Sequence, residues 1–488
     1  MKITYLPLDD RPCLTDSPKY LAQIAGIELE LVETDQEFRE SALHSDAMIL
    51  SLDRWVYGGL VKSRVLEILL DKAEKRISEL EGVLDSCRSP VYAYSVLMRQ
   101  APSAFSEEEA VLADKIKRAS IHYDDSKKFS EIIQGIPSKI WDLYLETRKR
   151  NFKINQKALL LTAENKIQFL VFAMDDLIEQ GLNQKEKRIL EKKILQEKLQ
   201  ERSMIIPGTD ETGFLLLTKT VLKSAKLSPA VFPFYSHPDS NQFLLEYEDC
   251  RLSELVDLQL KLIGGRLVNK REDADLLLFI HSPQENQKDV PIDPVLGSSS
   301  QWIDELRSSL SKGLPCILAD LRYANGADPL LMRELSYKID FPKLLSFSAW
   351  NTAANALGIA LSHGILRWSF LQRKQDSDSS KEESFSKSDE NKAHFEFLYL
   401  RFLEDWFYQS EIRPALSLKL KSEKHSVMNL APRIKSRCEN EAAQKLNDLS
   451  WQYLKSFPCK RGIKSVSFPW NRLFDIQIHL QKDFRREK

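Results

Sequence analysis

Four segments of the chain place acidic and basic side chains directly after an apolar run that is typical of a buried strand. These polar segments are residues 9–12, 53–59, 209–213 and 320–328. Ligand sites of α/β proteins form beyond the carboxyl ends of parallel strands, so we expect the four segments to meet in one polar crevice. Several carboxyl groups in one crevice are suited to general acid–base catalysis.

Glycosidic cleavage uses two carboxyl groups, one on either side of the scissile bond. We assign Asp53 and Asp210 as the catalytic pair, with Glu211 as a further catalytic acid or base. A helix is predicted to begin just after Glu211, and its N-terminus should favour the ionised form of these carboxyl groups. The sequence leaves open which acid is protonated and whether the reaction retains or inverts configuration.

Arginines, aromatic rings and further polar groups near the same strand ends are candidates for substrate binding. The arginines would orient a substrate or tune the pKa of a carboxyl group, and the aromatic rings would stack on a sugar. The predicted binding residues are Asp10, Arg11, Arg54, Trp55, Tyr57, Arg99, Asp320, Arg322, Asn325, Trp350 and Asn351. Neighbouring acids of an extended segment point to opposite faces, so at most one of Asp9 and Asp10 should enter the crevice.

Each polar turn also has a purely structural interpretation, in which the acids and threonines cap the helices that follow. Two alternative functions use the same residues. A metal-dependent hydrolase or lyase would bind a divalent cation through His237 or His281 with the acids, although no cofactor is predicted. A non-catalytic α/β sensor would bind a polar ligand, with the helical segments contacting a partner.

Several common enzyme classes lose support because their motifs are absent from the sequence. The chain has no GxxxxGK[ST] phosphate loop, no GxGxxG dinucleotide motif and no GxSxG nucleophile elbow. None of the six cysteines forms a CxxC pair, so neither a zinc ribbon nor a thioredoxin-like site is indicated. The remaining prediction is a hydrolase for a sugar or another small polyhydroxylated molecule.

Composition narrows the range of partners. Lys plus Arg (70) nearly balance Asp plus Glu (71), which gives no electrostatic reason to expect nucleic acid or an anionic membrane. No apolar run approaches the roughly 20 residues that span a bilayer. Scattered cysteines fit a reducing compartment, so a cytoplasmic protein is expected, and the oligomeric state is left open.

Strands and helices alternate over residues 1–102 and 201–370, which predicts mostly parallel sheets with helices on their faces. Residues 103–200 are rich in Lys, Glu and Leu and are interpreted as a helical insertion. Residues 374–393 have too few apolar side chains to form a packed core and are predicted to be a disordered linker or loop. A helical C-terminal region, 394–488, contains an aromatic stripe interpreted as core and ends in a strand. We favour Rossmann-like, doubly wound sheets, with a distorted (β/α)₈ barrel as the alternative.

The polar segments also resemble an uncharacterised bacterial family, domain of unknown function 4127. The resemblance rests on the following runs: PLDDRP (7–12), SLDRWVYGGLVKSR (51–64), GTDETG (208–213), YED (247–249), ADLRYANGAD (319–328), AWNTAANALG (349–358) and FPWNRLFDI (468–476). It extends over most of the chain, and residues 103–200 and 374–393 match none of its motifs. It implies a bacterial protein and carries no established activity.

Overall fold

The computed structural model describes residues 1–104, 106–175, 177, 180–291, 300–375, 388–458 and 462–481. The chain divides into two compact units. The first comprises Met1–Lys19, Ile27–Leu217 and Tyr247–Asp249, and the second comprises Tyr20–Gly26, Thr218–Glu246 and Cys250–Lys488. Two helices, α1 (Pro12–Ile24) and α10 (Thr212–Ala225), contribute residues to both units.

The first unit is built on a six-stranded parallel sheet with the strand order β2-β1-β3-β4-β5-β6. Its strands are β1 (Lys2–Leu6), β2 (Glu28–Leu31), β3 (Ala47–Ser51), β4 (Val91–Leu97), β5 (Phe169–Met174) and β6 (Ser203–Pro207). Strands β3, β4 and β5 are buried over their whole length, which is why they read as unbroken apolar runs. The order 2-1-3-4-5 is one of the two common doubly wound orders.

The other helices of the first unit lie in the connections between these strands. They are α2 (Asp35–Ser41), α3 (Leu52–Tyr57), α4 (Leu60–Ser63), α5 (Leu70–Ser86), α6 (Glu107–Ile121), α7 (Ser126–Ile133), α8 (Ser138–Ala163) and α9 (Leu182–Gln196). One apolar cluster joins Leu50 and Phe172 of the sheet to Leu80 of α5 and Ala158 of α8. A smaller cluster, which includes Trp141, lies between α6, α7 and α8.

The predicted helical insertion, 103–200, differs from the structure in one respect. Helices α6 to α9 lie in this region, but it also contains β5, which pairs with both β4 and β6 in the sheet. The Lys- and Glu-rich helices on either side dominate the composition of the region, so the six-residue run FLVFAM was missed. Residues 103–200 are therefore the final crossovers of the first sheet rather than a segment added to it.

The second unit contains a five-stranded parallel sheet with the order β13-β11-β9-β7-β8. Its strands are β7 (Ala230–Tyr235), β8 (Arg266–Leu267), β9 (Leu276–His281), β11 (Cys316–Asp320) and β13 (Ser346–Ser348). Counted along the chain, this is again the order 2-1-3-4-5. A separate parallel pair is formed by β10 (Lys288–Asp289) and β12 (Tyr323–Ala324), and an antiparallel pair by β14 (Ile463–Ser467) and β15 (Gln477–Leu480).

The second unit carries a long helical region after its sheet. Its α-helices are α11 (Leu252–Ile263), α12 (Ser300–Ser311), α13 (Pro329–Lys338), α14 (Ala353–Gln375), α15 (Asp389–Arg401), α16 (Arg413–Ser422) and α17 (Pro432–Tyr453). A π-helix, Phe402–Ile412, joins α15 to α16. Short 3₁₀ helices occur at Pro238–Gln242, Arg271–Asp273, Phe341–Lys343 and Pro469–Asn471. The aromatic stripe includes Phe402, Trp406 and Phe407, which lie in the core as expected.

The prediction of an α/β fold with mostly parallel sheets is confirmed. Strands and helices alternate over residues 1–102 and 201–370, as predicted. Most of the predicted linker, 374–393, lies outside the described residues, and 389–393 belong to α15.

Candidate functional site

The clearest polar cluster of the first unit joins the carboxyl ends of β1 and β6 through one arginine. Arg11 donates from Nε and Nη2 to the two carboxylate oxygens of Asp9, both at 2.9 Å. It also donates from Nη1 to Oδ2 of Asp210 at 2.9 Å and from Nη2 to Oδ1 at 2.6 Å. Burial opposes the charged form of Arg11, but Asp210 and Asp9 outweigh it and hold its pKa well above the usual value. The result is a buried triad with a net charge of −1.

The local sequence explains why Asp9, and not Asp10, enters this triad. The backbone amide of Arg11 donates to Oδ1 of Asp9 at 3.1 Å, which forms a tight polar turn before Pro12 begins α1. Asp9 is 4% exposed, whereas Asp10 lies on the exposed side of the turn. The two neighbouring acids therefore point in different directions, as their spacing predicted.

The triad lies at the topological switch point of the first sheet, between β1 and β3. Gly59, which follows α3, lies so close to the β1 segment that an added Cβ would be 3.2 Å from Cβ of Asp9. Its φ angle of +131° is also one that side-chain-bearing residues rarely adopt. The ends of β1 and β3 are therefore in contact, and open α/β sheets bind ligands at this position.

Close approach of α10 to the sheet accounts for the contact between Asp210 and Arg11, although three strands separate β1 from β6. A Cβ atom added to Gly213 in α10 would lie 1.9 Å from the hydroxyl of Tyr5 in β1. Only a glycine at this position lets the start of α10 cover the β1 side of the sheet. Tyr5 is fully buried close to the hydroxyl group of Tyr94, and this burial raises the pKa of Tyr5 above its usual value.

Glu211, next to the triad, is the least compensated carboxyl group of the site. It is fully buried, and within the described residues neither of its carboxyl oxygens has a hydrogen-bond partner. Burial raises its pKa to about 8, and the negative charges of Asp210 and Asp175 add to the shift. The amides of Glu211 and Thr209 lie near enough to offset part of this effect, without forming hydrogen bonds of normal geometry. Glu211 is therefore protonated at neutral pH.

The expectation that the start of α10 would keep Glu211 ionised does not match this pKa. A helix N-terminus contributes about 0.3–1 kcal/mol at an exposed site, whereas full burial of a carboxylate costs several kcal/mol. Desolvation is thus the larger effect at Glu211. The carboxylate of the neighbouring residue, Asp210, lies directly against the guanidinium of Arg11.

Asp175 follows β5 and forms an ion pair with Arg64 from the β3–β4 connection. Both side chains are more than nine-tenths buried. Arg64 also lies 3.4 Å from the hydroxyl of Ser103, measured from Nη1. Because Asp175 acts on the pKa of Glu211, and Arg64 acts on that of Asp53, this pair connects the β6 and β3 ends of the cluster.

Asp53 lies in the first turn of α3 rather than in an irregular loop. The side chain of Ser51 caps this helix by accepting a hydrogen bond from the Arg54 amide at 3.2 Å. The Asp53 carboxylate accepts a hydrogen bond from the Val96 amide at 2.8 Å and is 2% exposed. Burial raises its pKa to about 6, although the Val96 amide, Ser63 and Arg64 each lower it.

The other predicted binding residues of the first unit have structural contacts. Trp55 is fully buried in the apolar cluster and donates its indole N–H to the Arg76 carbonyl at 2.9 Å. The Tyr57 ring lies 4.4 Å from the guanidinium carbon of Arg150. Arg54 points to the Glu33 carbonyl, and Arg99 donates to the Ala101 carbonyl at 2.9 Å. Burial and, to a lesser extent, the charge of Asp53 raise the pKa of Tyr57, so this side chain lies near one acid of the site. Arg54, Trp55 and Arg99 instead contact other parts of the fold.

Asp320 and Arg322 belong to the second unit, at the carboxyl end of β11. The Asp320 carboxylate accepts hydrogen bonds from the amides of Asp328, at 2.7 Å, and Arg322, at 3.3 Å. Burial raises the pKa of Asp320 to about 6. Asp328 caps α13 and contacts both Arg322 and Nε2 of His281, at 2.5 and 3.2 Å. This acid cluster is held together by its own backbone and by Arg322.

Asn325, Trp350 and Asn351 lie in neighbouring loops of the second unit. The Asn325 amide N–H donates to the Asn351 carbonyl at 2.9 Å, and its side chain donates to Asp289 at 2.8 Å. Trp350 is 1% exposed and packs against Phe474. These three residues therefore join loops of the fold to one another.

The metal-dependent alternative has little geometric support. Within the described residues, no group of three or more His, Cys, Asp and Glu side chains is arranged to hold a metal ion. His281 is fully buried against Asp328, and His237 precedes the 3₁₀ helix at Pro238–Gln242.

Four residues of the first-unit cluster were not predicted as site residues: Tyr5, Asp9, Arg64 and Asp175. Asp175 gave a usable signal, since FLVFAM is followed by two aspartates, the same pattern as at the other strand ends. Asp9 was recognised only as an alternative to Asp10. Tyr5 and Arg64 gave no local signal, because their roles depend on contacts with residues far away in the sequence.

The comparisons with known proteins identify a family but no activity. Across the part of the chain that the structure describes, no helix is both long and apolar enough to cross a bilayer. No curated protein and no solved structure matches the chain. One family matches residues 3–479, from the first strand to the last, in agreement with the resemblance of the motifs. The chain belongs to the family described as protein of unknown function (DUF4127).

Proposed function

We propose that the first unit is a hydrolase that acts on a small polyhydroxylated molecule, such as a glycoside, by carboxylate acid–base chemistry. Glu211 is the general acid in this proposal, and Asp53 is the ionised carboxylate that acts as the base. The proposal keeps the chemistry expected from the sequence, takes Glu211 as the proton donor that the sequence left open, and removes Asp210 from the catalytic pair.

The state of Glu211 is the observation that carries the proposal. A buried carboxyl group without hydrogen bonds costs about 1–3 kcal/mol, so such groups are rare unless they serve a function. Its pKa of about 8 keeps the proton in place at neutral pH, where a general acid needs it. Asp210, only one residue away, has a different environment, because both of its carboxyl oxygens accept hydrogen bonds from Arg11. Neighbouring acids in different environments are a usual basis of acid–base assignments.

Asp53 is the better base because its carboxylate is less engaged than that of Asp210. Both oxygens of Asp210 accept hydrogen bonds from Arg11. Asp53, with a pKa of about 6, is mostly ionised at pH 7 and still basic enough to accept a proton. In the proposed step Asp53 takes a proton from the attacking water, and Glu211 gives its proton to the leaving oxygen as the C–O bond breaks.

The Asp9–Arg11–Asp210 triad supplies the polar surface for substrate hydroxyl groups. Its carboxylates can accept hydrogen bonds from hydroxyls through their remaining lone pairs. Since Trp55 and Tyr57 lie among other side chains, ring stacking by these residues is not part of the proposal.

A pH–rate profile on a panel of chromogenic glycosides tests the assignment. Activity requires ionised Asp53 and protonated Glu211, so kcat/KM should fall below about pH 6 and above about pH 8. Asp53→Asn should remove the acidic limb and Glu211→Gln the basic limb. Each substitution should lower kcat by about 10²–10⁴-fold on substrates with poor leaving groups.

The leaving group separates a proton donor from a structural residue. If Glu211 is the donor, Glu211→Gln should lose far less activity on nitrophenyl glycosides, whose leaving groups need little protonation, than on alkyl glycosides. An equal loss on both series would contradict the assignment. Ligand-dependent shifts in melting temperature without turnover on any substrate would reject hydrolysis and favour a binding protein.

A further inference from the structure

A cavity of about 210 Å³ lies in the first unit, between α6, α8 and the segments that follow α4 and β4. Its wall is mainly apolar and includes Leu66, Leu112, Ala113, Ile116, Ile140 and Leu143. An apolar cavity of about 150 Å³ is large enough to bind benzene. This space therefore fits one six-membered ring and is too small for a long acyl chain.

Arg64 connects this cavity to the candidate site. It lines the cavity, and its guanidinium forms the ion pair with Asp175, whose charge acts on Glu211. The wall also includes the polar side chains of Ser103, Glu109, Tyr144 and Thr147. Arg64 favours an aromatic occupant over a saturated one, because its cation is attracted to the ring face, and this contact changes affinity by about 2- to 30-fold.

We propose that the substrate of the first-unit site carries an aromatic ring, which binds in this cavity while the polyhydroxylated part faces the acids. The substrate class is thus an aryl derivative of a sugar or polyol. This inference rests on the proposed function for the identity of the reaction, but the binding of a ring to the cavity can be measured without turnover.

Phenol and cyclohexanol are suitable probes because they match in size and differ in aromaticity. Binding is measured on the full-length protein by ligand-observed NMR, with melting temperature as a second readout. We expect phenol to bind saturably and at least about twofold more tightly than cyclohexanol, the lower bound of the cation–π contribution. Failure of phenol to bind, or equal binding of both probes, would overturn the inference.

Two variants locate the binding site. Ala113→Phe fills the cavity from α6 and should abolish phenol binding, with Val111→Phe as its control, since Val111 is 61% exposed on the same helix and does not line the cavity. Leu143→Glu places a charge at the rim, where Leu143 is 47% exposed, so the fold should tolerate it. Its control is Leu160→Glu, on the exposed side of the same helix. Unchanged phenol binding in Leu143→Glu and in folded Ala113→Phe would place the ring elsewhere and reject the proposal.

The same measurements separate this inference from the proposed function. Glu211→Gln should still bind phenol, because Glu211 does not line the cavity. Turnover of glycosides without phenol binding would reject the aromatic substrate and leave the hydrolase intact. Phenol binding without turnover on any glycoside would reject the hydrolase and keep the ring site.

Discussion

The two units use the same strand order but treat the acids at their strand ends in different ways. In the first unit, Glu211 is buried beside an Asp–Arg–Asp triad with one more acid than base, and its carboxyl oxygens accept no hydrogen bond from the residues that the structure describes. In the second, Asp320 is held by two backbone amides, and Asp328 by Arg322 and His281. Both sheets thus carry acids at the position where α/β proteins bind ligands. Among the buried strand-end acids within the described ranges, Glu211 of the first sheet is the one with no hydrogen bond to either carboxyl oxygen.

The π-helix shows how far this compensation extends in the second unit. Asp405 accepts hydrogen bonds from the Ser348 hydroxyl at 3.0 Å and the Ala349 amide at 2.8 Å, and it pairs with Arg401 at 3.1 Å. Ser410 donates to the Ala327 carbonyl at 2.7 Å. The side chains of the π-helix therefore brace the loops that follow β11 and β13.

A raised pKa does not by itself separate the two units. Burial raises the pKa of Glu404 in the π-helix to about 7, close to the value of about 8 for Glu211. The difference is that Glu404 contacts Arg401, whereas Glu211 has no hydrogen-bond partner within the described residues. The hydrogen-bond partners of Glu404 and Glu211, rather than their pKa values, therefore distinguish the two acids.

The largest effect on stability is expected for the partnered glutamate. Glu404→Gln removes one of the two carboxylates that face Arg401, and because Asp405 still pairs with the guanidinium, the loss of this charged hydrogen bond costs about 1.5–3 kcal/mol of unfolding free energy. Urea unfolding at pH 7.5 measures this cost. Activity of the folded variant should stay close to that of the wild type. A stability change below 1 kcal/mol would show that Arg401 does not depend on Glu404 and would weaken the comparison.

Glu211→Gln, in contrast, should become more stable relative to the wild type as the pH rises. The pKa of Glu211 is about 8 in the folded protein and 4.5 ordinarily, so its contribution to stability is fully present below pH 4.5 and lost as the pH rises to 8. The loss is about 1.4 kcal/mol per pH unit within that window. The stability of the variant relative to the wild type should therefore rise by about 2.5 kcal/mol from pH 5 to pH 7. A difference that does not depend on pH would mean that Glu211 is ionised in the native state.

Sequence patterns predicted the strands and the positions of their polar ends, because apolar runs followed by acids are local features. They also placed Asp53, Asp210 and Glu211 at the ends of strands, where the structure has them. The orientation of Trp55 was not predictable, because a ring in a turn can face either the core or a ligand. Its burial depends on α5, about twenty residues further along the chain.

The protonation state of Glu211 could not be predicted from the sequence either. A carboxyl group at a helix start is stabilised as an anion when it is exposed and as a neutral acid when it is buried, and the second effect is larger. The burial of Glu211 follows from the close approach of α10 to β1 at Gly213 and Tyr5, which lie more than 200 residues apart. Local spacing contains no information about that contact.

The buried histidines of the second unit should respond to pH with the opposite sign from Glu211. His363 Nε2 and His394 Nδ1 are 3.0 Å apart, and burial together with Arg367 and Arg401 lowers the pKa of His363 from 6.5 to about 3. Burial also lowers the pKa of His394. The unfolded chain binds protons below pH 6.5 that the native pair does not, so stability is lost as the pH falls.

This loss should amount to about 2 kcal/mol for the pair between pH 6 and pH 5. Chemical unfolding of wild type and His363→Gln over this range measures it, and the variant should show a shallower dependence on pH. His479→Gln, at an exposed position, is the matched control. If His363→Gln and His479→Gln change the slope equally, the buried pair is not the source of the acid sensitivity.

The last comparison concerns glycines at which a helix lies close to a sheet in each unit. A Cβ at Gly213 would lie 1.9 Å from the Tyr5 hydroxyl, and one at Gly364 would lie 2.5 Å from Cγ1 of Ile317. Either alanine substitution overpacks its site and should cost about 1–3 kcal/mol in urea unfolding. A Cβ added at Gly82 in α5 would have no other atom within 4 Å, so Gly82→Ala should instead stabilise the protein by about 0.5–1 kcal/mol.

Only Gly213→Ala should also lower kcat, because it moves the start of α10 and with it Glu211. Equal loss of activity in Gly213→Ala and Gly364→Ala at matched stability would show that the acids of the first unit are no more sensitive to position than those of the second.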